Sequence, residues 1–196
     1  EAKIPRHEMM HEIQLLSTLR HPDLVQFLGA GSHPELFVLL EFMEGGDVHT
    51  LYEVQARRLG HPYRPPWRTF FQWAFALSRA LDYLHTRKWP IIHRDLKPMN
   101  LLLNANQDLK LTDFGSSKLM TEKGCSPEFR PMSGGVGTLR YMAPEVVRHE
   151  QYTDKIDIYS FALNIWFMHT GLLPFESEFG NDAERVLKEY LKGKEP

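Results

Sequence analysis

Residues 93–100 have the sequence His-Arg-Asp-Leu-Lys-Pro-Met-Asn, and this stretch decides the fold. Two shorter motifs follow in order: Asp113-Phe114-Gly115, which begins thirteen residues beyond Asn100, and Ala143-Pro144-Glu145. Each motif alone would carry little weight, because an isolated aspartate is usually a surface charge or a helix cap. Three motifs in this order and over these distances are very improbable by chance, so together they predict one chemical site.

In this order the motifs resemble the catalytic loop, the metal-binding turn and the end of the activation segment of protein kinases. The resemblance implies an α+β, protein-kinase-like fold: a mostly helical carboxyl-terminal lobe with helix C and two strands of the amino-terminal lobe attached. A single partial kinase domain is expected over residues 1–196. Within it, residues 1–43 would be the remnant of the small lobe and the hinge, and residues 44–196 a carboxyl-terminal lobe that lacks its last helices.

The resemblance assigns catalytic roles to five residues. Asp95 would orient the substrate hydroxyl and accept its proton, a task that suits a carboxylate. Lys97 would place a cation near the γ-phosphate of ATP. Asn100 and Asp113 would hold Mg²⁺, which prefers hard oxygen ligands. Thr138 would contact the catalytic carboxylate and shape the substrate site.

Six further residues are expected around the ATP. Glu12 aligns with the helix-C glutamate that pairs with a lysine on the third strand, and the alternative is an ordinary solvated helix charge. Asp47 would lie near the ribose, or it would only cap the helix that follows. The adenine site would be formed by Leu40 before the hinge, Glu41 and Met43 within it, and Leu102 beneath the base, where a plain core leucine is an equal interpretation.

Four residues are expected to act on structure or regulation. Asp157 stands at the start of an otherwise apolar helix, where a buried carboxylate requires donors, and the matching kinase residue holds the backbone of the catalytic loop. Glu145 matches a glutamate that pairs with an arginine on a later helix. Arg94 precedes the catalytic aspartate, which is typical of kinases activated by phosphate in the activation segment. Ser133 is the predicted phosphosite and Ser126 the second choice, unless both are ordinary polar loop residues.

Hydrophobic periodicity predicts the elements around these motifs. Helices are expected over about 7–20, 47–58, 67–86, 143–148, 153–170 and 181–192. Short apolar runs predict strands at 24–28, 36–42, 101–103 and 109–111, the last two joined as a hairpin. Residues 121–137 have no apolar period and are predicted to form a loop. Leu16, Phe27, His93 and Phe114 match the apolar stack that joins the two lobes of active kinases.

Composition argues against several other classes of protein. The formal net charge of −2 gives no reason to expect nucleic acid or a membrane surface as a partner. Cys125 is the only cysteine, which excludes an internal disulfide framework and favours a reducing, cytoplasmic location. The most apolar stretch, residues 156–175, contains Asp157 and Asn164, which would be costly in lipid. No basic segment followed by an apolar one opens the chain, so no signal peptide is expected.

Two details indicate the branch of the kinase family. Lys97 after Asp95-Leu96 is the Ser/Thr form of the catalytic loop. Residues 137–145 and 153–162 resemble the tyrosine-kinase-like group, which is mostly Ser/Thr-specific, and residues 21–30 resemble its integrin-linked, ankyrin-associated members. The resemblance implies a signalling Ser/Thr kinase that uses ATP and Mg²⁺, takes proteins carrying Ser or Thr as substrates and has an upstream kinase as a partner.

Two parts of the kinase pattern are missing from the sequence. No glycine-rich loop precedes Glu12, and Lys3 lies only nine residues before it, closer than the third-strand lysine usually lies. The chain is therefore expected to be truncated at both ends. A second hypothesis thus stays open, a catalytically weak or inactive kinase-like scaffold. A third, an unrelated helical binding domain, would make the motifs accidental.

Overall fold

The computed structural model describes residues 6–120, 138–180 and 182–193. The first part contains α1 (Arg6–Thr18), β1 (Phe27–Gly31), β2 (Phe37–Leu40), β3 (Gly46–Asp47), α2 (Val48–Leu59) and α3 (Trp67–His85). There follow β4 (Ile91–Ile92), β5 (Leu101–Leu103), β6 (Leu109–Leu111), β7 (Lys118–Leu119), α4 (Pro144–Val147), α5 (Lys155–Thr170), α6 (Glu176–Phe179) and α7 (Ala183–Leu191). This mixture of helices and short antiparallel strand pairs confirms the expected α+β class. Lys3, Ser126 and Ser133 lie outside the described residues.

The first predicted strand begins three residues later than expected. Leu24 forms a parallel bridge with Leu111, and the amide of Val25 donates to the carbonyl of Leu111 at 2.9 Å. These residues therefore pair with the hairpin, and β1 starts at Phe27, where the chain turns to pair with β2. The prediction of a strand was correct, but its bounds were wrong, because the pairing of Leu24 and Val25 with a distant segment leaves no local signal.

Helix α3 lies at the centre of the main core. Its buried face carries Phe70, Trp73, Leu77, Leu81 and Leu84, which recur at helical spacing. Residues from α1, α2, the β5–β6 hairpin and α5 belong to the same core cluster. Each fully buried leucine contributes about 1.5–3 kcal/mol relative to an exposed one. The predicted helix 67–86 is thus confirmed and forms the base on which the hairpin rests.

The β5–β6 hairpin brings two motifs together. Leu101 pairs with Leu111 and Leu103 with Leu109 in an antiparallel register. The residues before and after the hairpin therefore emerge at the same end, and the amide of Thr112 donates to the carbonyl of Asn100 at 3.0 Å. The register thus places the end of the catalytic loop beside Asp113.

Helix α5 is apolar in composition but carries three buried polar side chains. Asp157, Ser160 and Asn164 are each at most 7 % exposed. Their spacing of three and four residues puts them on one face of the helix. Among the described residues, no helix combines the length and apolarity needed to span a membrane.

Candidate active site

The carboxylate of Asp95 is buried, with 2 % of the residue exposed. Its Oδ2 atom accepts hydrogen bonds from Lys97 Nζ at 2.8 Å and from Asn100 Nδ2 at 3.3 Å. The Asn100 amide nitrogen also donates to the Asp95 carbonyl at 2.7 Å. The other carboxylate oxygen, Oδ1, has no hydrogen-bond partner among the described residues. A buried anionic oxygen without a donor is costly, so the site favours a ligand that brings a donor to it.

Two residues of the motifs have a left-handed backbone. Arg94 has a φ of 68° and Asp113 a φ of 66°. Such conformations cost about 1–3 kcal/mol each for residues other than glycine, and they cluster at functional sites. Gly115 is not among the glycines with positive φ, so the left-handed residue of the Asp-Phe-Gly motif is Asp113.

Asp157 binds the backbone of the two residues that precede Asp95 in the sequence. Its two carboxylate oxygens accept the amides of His93 at 2.8 Å and Arg94 at 2.9 Å. His85, at the end of α3, places Nε2 2.8 Å from the same carboxylate. A fully buried carboxylate is stable here because several groups surround its oxygens. The predicted contact between Asp157 and the catalytic loop is present, and its effect on turnover is a separate question.

The Arg94 side chain donates hydrogen bonds to two groups. Its guanidinium donates to the carbonyl of Ser116 and to the hydroxyl of Tyr152, the latter at 3.1 Å. Both acceptors are neutral, so the hydrogen bonds are satisfied, but no described residue neutralises the positive charge. An anionic group would still find a favourable partner here.

His93 links the catalytic loop to the segment around Asp113. Its Nε2 lies 2.9 Å from the carbonyl of Thr112, so this nitrogen must carry the proton. The imidazole packs edge-on against Phe114, with ring centroids 5.2 Å apart. Phe114 and Leu16 share the main core, and Phe27 packs against it. The structure thus shows His93 in contact with Phe114, while Leu16 and Phe27 belong to the core that also contains Phe114.

Glu12 and Asp113 form a pair of carboxylates. A Cβ atom on Gly115 would lie 3.4 Å from Asp113 Oδ1 and 3.6 Å from Glu12 Oε2, which places both groups at the same glycine. Burial, and secondarily the charge of Asp113, raise the pKa of Glu12. In the described part of the chain, no three His, Cys, Asp or Glu side chains are grouped to hold a metal. A cation here would therefore depend on Asp113, on neighbouring amide oxygens and on a ligand.

In the expected hinge, one backbone amide and one backbone carbonyl have no backbone hydrogen bond to a described residue. The Glu41 amide donates to the Gln26 carbonyl at 2.9 Å, and the Gly46 amide donates to the Met43 carbonyl at 3.1 Å. The Glu41 carboxylate is bound by Lys110 at 2.7 Å. Within the described residues, the carbonyl of Glu41 and the amide of Met43 take part in no backbone hydrogen bond. Leu40 is partly exposed beside them, and Met43 is buried.

Asp47 caps α2, as one of the two predictions for it proposed. Its carboxylate accepts the amide of Thr50 at 2.8 Å and the hydroxyl of Thr50 at 2.7 Å. It pairs across the sheet with Leu102, which is partly exposed while its two neighbours are fully buried. The contacts with ribose and adenine stay predictions for both residues.

The substrate side of the site is described only in part. Thr138 begins a short 3₁₀ turn that ends at Tyr141, and its side chain lies outside the described set, like Ser133. Glu145 is in the first turn of α4 and forms no salt bridge with a described residue. The buried Arg140 was missed by sequence reasoning: it donates to the carbonyls of Pro174, at 2.7 Å, and Gly180.

Comparisons with known proteins agree with this geometry. The family of protein kinase domains matches residues 1–193. The serine/threonine/tyrosine-protein kinase HT1 of Arabidopsis thaliana is 39 % identical over 84 % of this chain and 39 % of its own length. The serine/threonine-protein kinase VIK of the same plant is 40 % identical over 91 % of this chain and 40 % of its own length. Mitogen-activated protein kinase kinase kinase 12 of Rattus norvegicus is 36 % identical over 84 % of this chain and 17 % of its own length.

The chain thus spans about two fifths of the length of the two plant relatives. The relatives confirm the expected likeness to Ser/Thr kinases of the tyrosine-kinase-like group. Because the protein kinase domain family matches residues 1–193, this chain belongs to that family.

Proposed function

We propose that this protein transfers the γ-phosphoryl group of ATP to Ser or Thr hydroxyls of protein substrates in signalling. The observation that carries the proposal is the asymmetry of Asp95. One carboxylate oxygen is held by Lys97 and Asn100, and the other is buried without a partner among the described residues. A hydroxyl group is a donor that fits the second oxygen, while Lys97 and Asn100 fix the direction in which it would bind.

The proposed reaction is a single displacement at phosphorus. The hydroxyl oxygen of the substrate forms a bond to the γ-phosphorus, and the bond between that phosphorus and the β–γ bridging oxygen breaks, so ADP leaves with the bonding electrons. The hydroxyl proton passes to Asp95 Oδ1. Lys97, 2.8 Å from Oδ2, places positive charge close to the transferred group, and Thr138 would help to position the substrate. Positioning and electrostatic stabilisation supply most of the catalysis in such transfers.

Several described groups fit ATP with Mg²⁺. The Asn100 nitrogen is occupied by Asp95, so the side-chain carbonyl oxygen is the atom left for a metal, beside the carboxylate of Asp113. When bound, Mg²⁺ would neutralise phosphate charge. The free carbonyl of Glu41 and amide of Met43 suit an adenine edge, which offers one donor beside one acceptor. Leu40 and Leu102 would flank the base, Asp47 would lie near the ribose and Glu12 near the phosphates.

Regulation is proposed on Arg94. In the described part of the chain its guanidinium has only neutral acceptors, so a phosphate added by an upstream kinase, with Ser133 as our candidate, would provide a negative charge beside it. Glu145 and Asp157 would stabilise the activation segment and the catalytic loop. On the ground of the single cysteine, we propose a cytoplasmic location.

The test is an Asp95→Asn substitution in the full-length protein. Asparagine keeps the shape but cannot accept the proton, so kcat for a Ser/Thr peptide should fall at least about a hundredfold. The matched control is Asp82→Asn, which changes an exposed aspartate on α3 and should leave kcat unchanged. An Asp95→Asn protein with the single-turnover rate of the wild type would refute the role given to Asp95. A wild-type protein that transfers no phosphate would support the scaffold hypothesis instead.

A further inference from the structure

The three buried polar side chains of α5 all bind backbone outside the helix. Asp157 accepts the amides of His93 and Arg94. Ser160 Oγ donates to the carbonyl of Tyr141 at 2.7 Å. Asn164 Nδ2 donates to the carbonyl of Leu96 at 3.2 Å. One helix face therefore contacts the chain on both sides of Asp95.

We propose that Asn164 is a positioning residue for the catalytic carboxylate. Its side-chain amide holds the carbonyl of Leu96, the residue after Asp95, just as Asp157 holds the amides of the two residues before Asp95. The inference rests on the proposed kinase function and adds a residue that the sequence motifs do not contain. Its action on the reaction is indirect, through the backbone of Leu96.

The orientation of the Asn164 amide follows from its neighbours. Nδ2 has two acceptors, the carbonyls of Leu96 at 3.2 Å and of Ser160 at 2.8 Å. The opposite orientation would set Oδ1 against two carbonyl oxygens, with no hydrogen between them. Both amide hydrogens are therefore in use, and they fix the direction of the side chain.

Packing alone does not explain an asparagine at this position. Asn164 is 0 % exposed, and its Oδ1 has no partner among the described residues. A leucine of similar size would fill the site without an unsatisfied oxygen. The Ser160 carbonyl is already an acceptor in the helical ladder, so that hydrogen bond adds little. The contact that only a donor at position 164 can provide is the one to Leu96.

Asn164 also complements the other contacts of the loop. The carbonyl of Asp95 is bound by Asn100, and the amides before it are bound by Asp157. Without Asn164, the Leu96 carbonyl would lose this side-chain donor, and the backbone after the catalytic residue would be held by fewer contacts. Small displacements of a catalytic group reduce its rate strongly.

The experiment compares Asn164→Leu with the wild type in the full-length protein. The control is Met168→Leu, a volume-conserving change at a fully buried position one turn further along α5. For Asn164→Leu we expect kcat to fall at least about tenfold, KM for ATP to stay within about twofold of the wild type, and Tm not to decrease. Amides of residues 95–97 should exchange hydrogen faster, while those of α5 exchange as in the wild type. Met168→Leu should change none of these quantities.

A second variant separates the hydrogen bond from side-chain volume and serves if Asn164→Leu does not fold. Asn164→Asp keeps the shape, and its carboxyl group can donate to Leu96 only while protonated. Its kcat relative to the wild type should therefore decrease as pH rises.

Two results would overturn the inference: wild-type kcat with unchanged exchange at 95–97, or a loss of kcat matched by an equal fall in Tm in both leucine variants. If the wild type itself transfers no phosphate, the proposed function fails, and the exchange measurement still decides whether Asn164 orders the loop.

Discussion

Asp157, Asp95 and Glu12 are three partly or fully buried carboxylates with different surroundings. Asp157 has three nitrogen neighbours, two of them backbone amides. Within the described residues, Asp95 has donors on one of its two oxygens. Glu12 faces another carboxylate, that of Asp113. The carboxylate of Asp157 is therefore stable without a ligand. That of Asp95 can accept a hydroxyl donor, and the pair formed by Glu12 and Asp113 can bind a cation.

The pH dependence of stability should reveal the carboxylate of Glu12. Its pKa is raised by burial and by Asp113 above the ordinary 4.5, so between the two pKa values the folded protein binds a proton that the unfolded chain has released. This contribution is fully present below pH 4.5 and is lost as pH rises through the folded pKa. We therefore expect Glu12→Gln, which cannot ionise, to raise Tm at pH 7–8 and to leave it almost unchanged at pH 4. Thermal melts without metal ions would measure this.

The control for this measurement is Glu35→Gln, because Glu35 is exposed and its removal should change Tm by the same small amount at every pH. A Glu12→Gln protein that loses stability as pH rises, relative to the wild type, would contradict the predicted direction.

The sequence predicted the candidate reactive residues but not all of the residues that hold them in place. Asp95, Asn100 and Asp113 could be named because they stand in motifs with fixed spacing. Asn164 and Ser160 could not, because a polar residue in an apolar helix predicts only that it finds a partner somewhere. The sequence did contain one signal for them: Ser160 and Asn164 follow Asp157 by three and seven residues, and this spacing puts all three on one helix face.

At the scale of elements, the long helices were predictable and the shortest strands were not. The periodicity of α3 was clear over nineteen residues. In contrast, β4 has two residues, Ile91 and Ile92, and pairs with Leu119 and Lys118. A strand of two residues has no period, and its partner lies far along the sequence, so only tertiary contacts define it.

Helix ends provide a matched pair of glycines. Gly60 closes α2 and Gly171 closes α5, each with a φ of 74°. A Cβ atom on Gly60 would meet nothing within 4 Å, whereas on Gly171 it would overlap the carbonyl oxygen of Tyr63. An alanine would therefore meet the same backbone strain at both sites, but only at Gly60 is there room for its Cβ atom.

We expect Gly60→Ala to lower the free energy of unfolding by about 1–2 kcal/mol, from the left-handed backbone alone. Gly171→Ala should lower it by about 2–5 kcal/mol, because overpacking adds to the strain. Urea denaturation of both variants measures the difference. If both variants lost the same free energy of unfolding, the loop around Tyr63 would move aside for the new methyl group at no energetic cost.

At the scale of the whole molecule, the contacts that join residues 6–43 to the rest of the described chain include three polar sets. Arg79 on α3 donates twice to Asp23, at 2.8 and 2.9 Å, and this hydrogen bonding raises the pKa of Arg79. Lys110 on β6 binds Glu41 at 2.7 Å. Leu24 and Val25 pair with Leu111. The division at residue 43 thus marks a change of architecture, and we propose that it does not mark an independent unit.

The last prediction is that this part unfolds together with the rest. A two-stranded sheet such as β1–β2 is marginally stable alone, and Leu28 and Leu39 on it are more than half exposed, so its stability should come from the contacts with Arg79, Lys110 and Leu111. In urea, hydrogen exchange of the β1–β2 amides should therefore have the same midpoint as tryptophan fluorescence, because all four tryptophans lie beyond residue 43.

Arg79→Met should separate these two transitions. It leaves the buried carboxylate of Asp23 without its main partner, which costs about 1–2 kcal/mol, a value between those of exposed and buried ion pairs. The midpoint of β1–β2 exchange should then move to lower urea than the fluorescence midpoint. The control is Arg57→Met, which removes an exposed pair with Glu53. It should change the free energy of unfolding measured by either probe by no more than about 0.5 kcal/mol. Separate transitions in the wild type would mean that the first 43 residues fold independently, because the three sets of contacts would then be too weak to couple the two parts.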